Sequence, residues 1–263
     1  MSDSDNTKDS FINIKLPDSI DNAVKNLTDK PTATIGDVIS DCLFLVFGGI
    51  GQMAALKRAK YSFELEHFKT ELEEKLNAIP EEKRIEPNMH TICTALDSMR
   101  FCVEEKELRD MFATLIANSI NNDKEAFVHP SFGEIIKQMT SLDAVIFKAM
   151  TKQTVLPVLR LKIVYKSRGQ SSLSRNLIWD DWNSIDRVAA SLDNLTRLKL
   201  IDISYEEFYT DETRYDRLRE KKHIAKEFEK LQVFANKFQG KVDFDKGIIR
   251  ITEFGKNFIS ACI

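Results

Sequence analysis

The sequence predicts a mainly α fold, with a helical bundle in the first half and an α+β domain around a small antiparallel sheet in the second. Apolar residues recur at intervals of three and four from Tyr61 to Ile120, which places them along one side of each helix. Later the interval drops to two, as in Leu159, Leu161, Ile163 and Tyr165, the period of a half-buried strand. Between these regions, Phe127 to Met150 carries two helix-start signals in close succession.

Composition narrows the class. With 263 residues, 43% hydrophobic and 30% charged, the chain can bury one large core or two modest ones, and wholesale disorder is excluded. The expected division is a partly disordered segment over 1–30, a helical domain over 31–140, and a second domain over 141–263 with a helical insert at 210–240. A net charge of -3 gives no global attraction to nucleic acid or membrane, so any such attraction must be local. Cys42, Cys93, Cys102 and Cys262 are too scattered for a zinc site or a disulfide scaffold and read as reduced, mostly buried thiols. The polar start MSDSDNTKDS lacks the pattern of a signal peptide, and the expected location is cytoplasmic. In Val38 to Leu56 the apolar core runs only from Cys42 to Gly51, short of the ~20 residues a spanning helix needs. A buried core helix is expected there, and no transmembrane segment.

The first helix follows from Tyr61, Leu65, Phe68, Leu72, Leu76 and Ile79, and Pro80 stops it. Met89, Ile92, Cys93, Leu96 and Met99 define a second, and Leu108, Met111, Phe112, Leu115, Ile116 and Ile120 a third. The short junction between the last two implies an antiparallel pair. Ser131 followed by Glu134 has the form of a capping box, so a helix is expected from Phe132, and Ser141 is the expected cap of the next.

From Lys152 to Arg175 there are six basic residues and no acidic one. Arg160, Lys162 and Lys166 alternate with apolar residues in a strand, and serines with Gly169 suggest a flexible basic turn carrying Arg168 and Arg175. Asp180 or Asp181 is the expected cap of a helix whose inner face holds Trp182, Ile185, Ala189, Leu192 and Leu195. Its other face presents Arg187, Ser191, Asn194 and Arg197, residue types that contact phosphates and base edges. A strand from Leu200 to Tyr205, a turn at Lys246-Gly247, a strand from Ile248 to Thr252 and a last helix capped by Thr252 complete the chain. The insert carries a stripe of Tyr215, Leu218, Ala225, Phe228, Leu231 and Phe238, expected to pack on the helical half or on a second subunit.

Helix, basic strand, short helix, longer helix and strand pair is the order of a winged helix-turn-helix, and VAASLDNLTRLKLIDI with GIIRITEFGKNFI resembles its recognition helix and wing. More broadly, IEPNMHTICTALDSMRFCVEEKELRDMFATLIANSI, FVHPSFGEIIKQMTSLDAVIF and LDNLTRLKLI with IRITEFGKNFISAC resemble the abortive-infection alpha family of bacterial proteins. That resemblance covers most of the chain from about Pro87 onward and implies a role in defence against phage. It rests on packing and capping residues and transfers no catalytic one.

The expected function is therefore a non-enzymatic phage-defence protein acting through a nucleic acid or a protein partner, the alternative being a winged-helix transcriptional regulator. Arg160, Lys162, Lys166, Arg168 and Arg175, with Arg187, Ser191, Asn194, Arg197 and Lys199, form the candidate nucleic-acid surface. The competing reading is a solvated basic face balancing acidic helices. No catalytic set, metal spacing or cofactor motif is found: His67, His90, His129 and His223 are dispersed, and Glu104, Glu105 and Glu107 favour a helix dipole at its start. Self-association is expected through the insert.

Overall fold

The computed structural model describes residues 55–86, 88–153, 155–166, 169–178 and 184–263, and among these the chain is mostly helical with one small antiparallel sheet. Among the described residues five α-helices precede the first strand: α1 (Ala55–Asn77), α2 (Met89–Met99), α3 (Lys106–Asn118), α4 (Phe132–Lys137) and α5 (Ser141–Met150). The stripes expected from the spacing are internal. Tyr61, Leu65, Phe68 and Leu72 of α1 are buried with Ile92, Leu96 and Met99 of α2, and with Leu108, Phe112, Leu115 and Ile116 of α3. Residues 38–54 of the apolar stretch lie outside the described residues, and its last two, Ala55 and Leu56, begin α1. No helix among the described residues is long and apolar enough to cross a membrane.

A buried cation fastens α1 to α3. Arg109 donates to Glu64 and Glu71 of α1 and to the carbonyl of Val103. Every one of these partners satisfies a group that would otherwise be costly to bury.

The joint differs from expectation in its caps. Helix α4 does start at Phe132, but Ser131 has αR backbone angles and makes no side-chain cap bond. Its hydroxyl bonds His129 Nδ1 at 2.7 Å, and its N–H donates to the same nitrogen. Glu134 turns instead to Ser98 of α2, whose Oγ donates to it at 2.8 Å, and to Lys137. That bond and close helix packing outweigh the box: a Cβ on Gly133 would lie 3.1 Å from the Ala95 backbone. The true capping box belongs to α5 and is set one residue before Ser141. Thr140 Oγ1 accepts from Asp143 N, and Asp143 Oδ2 accepts from Thr140 N at 2.7 Å. Ser141 donates to Glu105 at the start of α3.

The sheet has strands β1 (Val155–Tyr165), β2 (Gly169–Leu177), β3 (Ile201–Ser204) and β4 (Gly240–Ile251) in the order β2-β1-β4-β3, every neighbouring pair antiparallel. The serine-rich segment expected as a flexible turn is thus a strand, paired from Tyr165↔Gly169 to Leu159↔Leu177. It is interposed between the basic strand and helix α6 (Ile185–Arg197), which starts after Ser184; Asp180, Asp181 and Trp182 lie outside the described residues. Lys246 and Gly247 form no turn either, since both lie inside β4. Gly247 is small because of close approach: a Cβ there would meet Ser204 O at 2.4 Å and the Tyr205 ring. The chain reverses instead at Gln239, with φ 53, just before β4. Thr252 caps the last helix, α9 (Glu253–Cys262), as expected, accepting from Gly255 N at 2.9 Å.

Two buried clusters result. The first runs from Tyr61 to Cys262, with side chains of α1 to α6 and α9 around one end of the sheet, where Leu156, Val158, Ile249 and Ile251 enter it. The second covers the far part of the sheet. There Leu159, Leu161, Ile163, Leu177 and Val242 meet Tyr215, Leu218, Ile224 and Ala235 of the insert. The insert is two helices, α7 (Thr213–Arg219) and α8 (Lys222–Asn236), and Tyr215, Leu218, Phe228 and Leu231 of its apolar stripe pack on the sheet, not on the helical half, while Phe238 stays 54% exposed. The reason is geometric: odd-numbered residues of β1 beyond Val158 point away from the main core and need a cover of their own. Tyr215 pins that cover, donating to Gly247 O at 3.0 Å and accepting from Tyr209 N.

Candidate nucleic-acid interface

Strand parity places Arg160 and Lys162 on the same face of β1 as Leu156 and Val158, just beyond the point where the core ends. The register sets Asp245 of β4 opposite Arg160. Arg160 Nη2 lies 3.1 Å from Asp245 Oδ2 and Lys162 Nζ 2.8 Å from Oδ1, while Ser172 Oγ donates to Oδ2. Burial works to raise the Asp245 carboxyl, but the bonds from Lys162, Arg160 and Ser172 outweigh it and hold the group below the usual aspartate range. The Arg160 guanidinium also lies 3.9 Å from the centroid of the Tyr205 ring. Tyr205 in turn donates to Asn176 Oδ1 at 2.6 Å, and burial pushes its phenol well up. The central cations of the expected surface are therefore engaged inside the sheet. A phosphate would have to displace Asp245 to reach them.

The other expected residues divide. Arg175 is held between helices, with Nε 2.9 Å from Asp186 of α6 and Nη1 2.8 Å from Glu227 of α8. Ser191 is buried. Asn194 donates to Gln138 O and to Asp143 Oδ2, both at 2.9 Å, so it closes on the capping box of α5. Arg197 donates to Gln138 Oε1 and to Asn194 Oδ1. Asn194 and Arg197, from the α6 side expected to face bases, thus bond to the joint between α4 and α5. Lys166, Arg187 and Lys199 are exposed on three different elements, with Lys199 in left-handed backbone (φ 60) after α6, and Arg168 lies outside the described residues. Of the nine described residues, Arg160, Lys162, Arg175, Ser191 and Asn194 are thus paired or buried within the fold.

A different basic surface lies on α8. Ile224 and Ala235 of this helix are buried and Phe228 and Leu231 partly so, whereas Lys222, Lys226, Lys230, Val233 and Lys237 are exposed. At 100° per residue those five fall within roughly 80° of arc. Lys230 lies 3.8 Å from Glu227, while Lys222, Lys226 and Lys237 make no ion pair with a described residue. At the C-terminal end, Val233, Phe234 and Phe238 are 65%, 49% and 54% exposed. The signal for this face, lysines four residues apart at 222, 226 and 230, is present in the sequence. It goes unread when the insert is read only for its apolar stripe.

A cleft of about 390 Å³ between α1, α3, α5 and the end of α9 is lined by charges of both signs, including Glu71, Lys75, Glu107, Asp110 and Lys148. Lys75 lies 2.9 Å from Asp110, so the charges largely satisfy one another. Cys262 at its base is buried and its thiol is pushed well up by that burial; Cys102 is likewise pushed up to about 11. Neither has the thiolate character of a nucleophile. Among the described residues no group of His, Cys, Asp or Glu is placed to hold a metal ion.

A search of curated proteins finds no match. Among solved structures, an uncharacterized protein from the hydrocarbon-degrading marine bacterium Alcanivorax borkumensis SK2 aligns at 17% identity over 53% of this chain and 94% of its own, with a TM-score of 0.35. A likeness at that level carries no argument. The model of the family described as abortive infection alpha matches residues 60–262, from within α1 to the end of α9, and the chain belongs to that family.

Proposed function

We propose that this protein serves abortive infection, a defence against phage, as a binding protein and not as an enzyme, and that its contact surface is the outer face of α8. The single observation behind the second clause is the contrast in ion pairing. The cations of β1 and β2 are tied to Asp245, Asp186 and Glu227, whereas Lys222, Lys226 and Lys237 lie open beside exposed aromatic residues. Support for a binding role comes from the groups a catalytic reading would use. His129 is bonded to Ser131, Glu104 to Lys60 and Glu105 to Ser141. Nucleic acid is the partner that the basic strand suggested, but among the described residues of that set only Lys166, Arg187 and Lys199 are both exposed and outside the bonds just described. A winged-helix reading of α5, β1, α6, β3 and β4 keeps the order of elements but must accommodate β2 and an Asn194 of α6 that is bonded to Asp143.

Plating efficiency tests this. Cells expressing the natural protein should lower plaque counts for a sensitive phage, and K222A/K226A/K230A should lose that protection at unchanged protein level. Full protection by the triple variant would move the contact surface elsewhere.

A further inference from the structure

We infer that the partner of the outer face of α8 is the surface of an anionic phospholipid bilayer, an inference that rests on reading this face as the contact surface. Lys222 to Lys237 spans roughly 22 Å at the rise of an α-helix, and the four lysines and Val233 point one way along it. Glu229, roughly 20° outside the stripe beside Lys222, is the exposed acid of α8, and four lysines outnumber it. An anionic membrane presents its charge as a diffuse plane, which compact ammonium groups on flexible stems match without fixed geometry. No arginine stands in the stripe to form the two-pronged contacts that favour a phosphodiester backbone.

Exposed apolar residues near the C-terminal end of α8, Val233 within the stripe and Phe234 and Phe238 on its flank, separate the two polyanions further. Val233, Phe234 and Phe238 are all about half exposed or more. Such side chains gain by entering the boundary between headgroups and acyl chains, and a duplex backbone offers them nothing comparable. The Phe234 and Phe238 rings lie 5.1 Å apart at 52°, packed on each other, so they do not form parallel platforms for successive bases. They form a wedge instead.

The face is also set in advance. Ile224 and Ala235 fix α8 to the sheet, and Gln232 Oε1 accepts from Val242 N at 3.0 Å. Little ordering is needed on contact.

The test is co-sedimentation of the full chain with vesicles of phosphatidylcholine alone and of phosphatidylcholine mixed with phosphatidylglycerol. Binding is expected to the mixed vesicles only and to weaken as salt rises. At roughly fivefold per lysine, K222A/K226A/K230A should bind on the order of a hundredfold more weakly. F234S/F238S should lose the part of binding that survives high salt, with an unchanged thermal midpoint showing that the fold is intact. Equal binding to both vesicle types, or none to either, overturns the inference. So does salt-dependent retention of duplex or single-stranded oligonucleotides without vesicle binding, which makes nucleic acid the partner. Self-association abolished by F234S/F238S without vesicle binding makes it a second copy. If vesicles are not bound but the lysine variant loses phage protection, the bilayer falls and the contact surface stands. If vesicles are bound and the variant protects in full, the reverse holds.

Discussion

Two basic surfaces of this protein look alike in sequence and differ in what their charges do. On β1 and β2, Arg160, Lys162 and Arg175 each meet an acid from a strand or helix far away in the chain. On α8, three of the four outward lysines make no ion pair with a described residue. A run of like charge therefore does not identify a binding face until the residues across the sheet are known. In β1 the deciding residue, Asp245, stands 85 positions after Arg160. In α8 the charges alternate with buried residues at helical spacing, and burial of one side leaves the other to solvent.

The comparison predicts a graded response when each cation system is broken. The upper end of the scale is Arg109, whose side chain is 6% exposed between Glu64 and Glu71. Arg109→Ala leaves two carboxylates partly buried without their cation and should cost about 3–5 kcal/mol, read as a lower urea midpoint at constant slope. A loss under about 1 kcal/mol would mean that α1 is held by its apolar stripe alone.

Asp245→Ala comes next. It strips the shared acceptor from Arg160, Lys162 and Ser172 in a half-buried setting, and about 2–3 kcal/mol is expected, less than for Arg109 because solvent screens part of the charge. If the variant keeps its stability and gains nucleic-acid binding, the cations of β1 are held in reserve and the distinction between the two surfaces collapses.

The same carboxylate gives a pH dependence. The folded Asp245 is held below the usual aspartate range, so its contribution is present at neutral pH. It is lost as pH falls from the unfolded value through the lower folded one. Glu134, lowered chiefly by the Ser98 hydrogen bond, works in the same direction. Urea midpoints measured on descending pH should therefore fall more steeply for the natural protein than for Asp245→Asn. Parallel profiles would show that Asp245 is no more than a solvated acid.

How much of this was legible depends on the range of the interactions. The apolar stripes of α1, α2 and α3 and the Thr252 cap are local patterns, and they were read correctly because helix period and capping act within a few residues. The α5 cap was missed by one position because Thr140 and Ser141 are adjacent hydroxyls, and only the Asp143 bond to Thr140 N distinguishes them. Strand β2 was read as a turn since its serines and Gly169 have low strand preference, and pairing with β1 overrides that preference. Gly247 looked like a turn residue, while its role comes from Ser204 and Tyr205 on the neighbouring strand. The partners of the candidate surface are illegible for the same reason. Asn194 meets Asp143 across 51 positions, and nothing near either residue announces it.

The smallest expected effect is the most discriminating. K222A/K226A/K230A removes three exposed charges, and substitutions of that kind away from caps and networks stay within about 0.5 kcal/mol each. Alanine also has the higher helix propensity, which offsets any loss from the pairing of Lys230 with Glu227 at 3.8 Å. The thermal midpoint should thus hold nearly constant. Relief of repulsion between lysines four apart even favours a slight rise at low salt, which should vanish as salt is added. A large loss of stability would show that these side chains pack across the surface, and the open face on α8 would then be a structural one. An unchanged midpoint with altered binding leaves the lysines free for a partner, which is the condition that β1 does not meet.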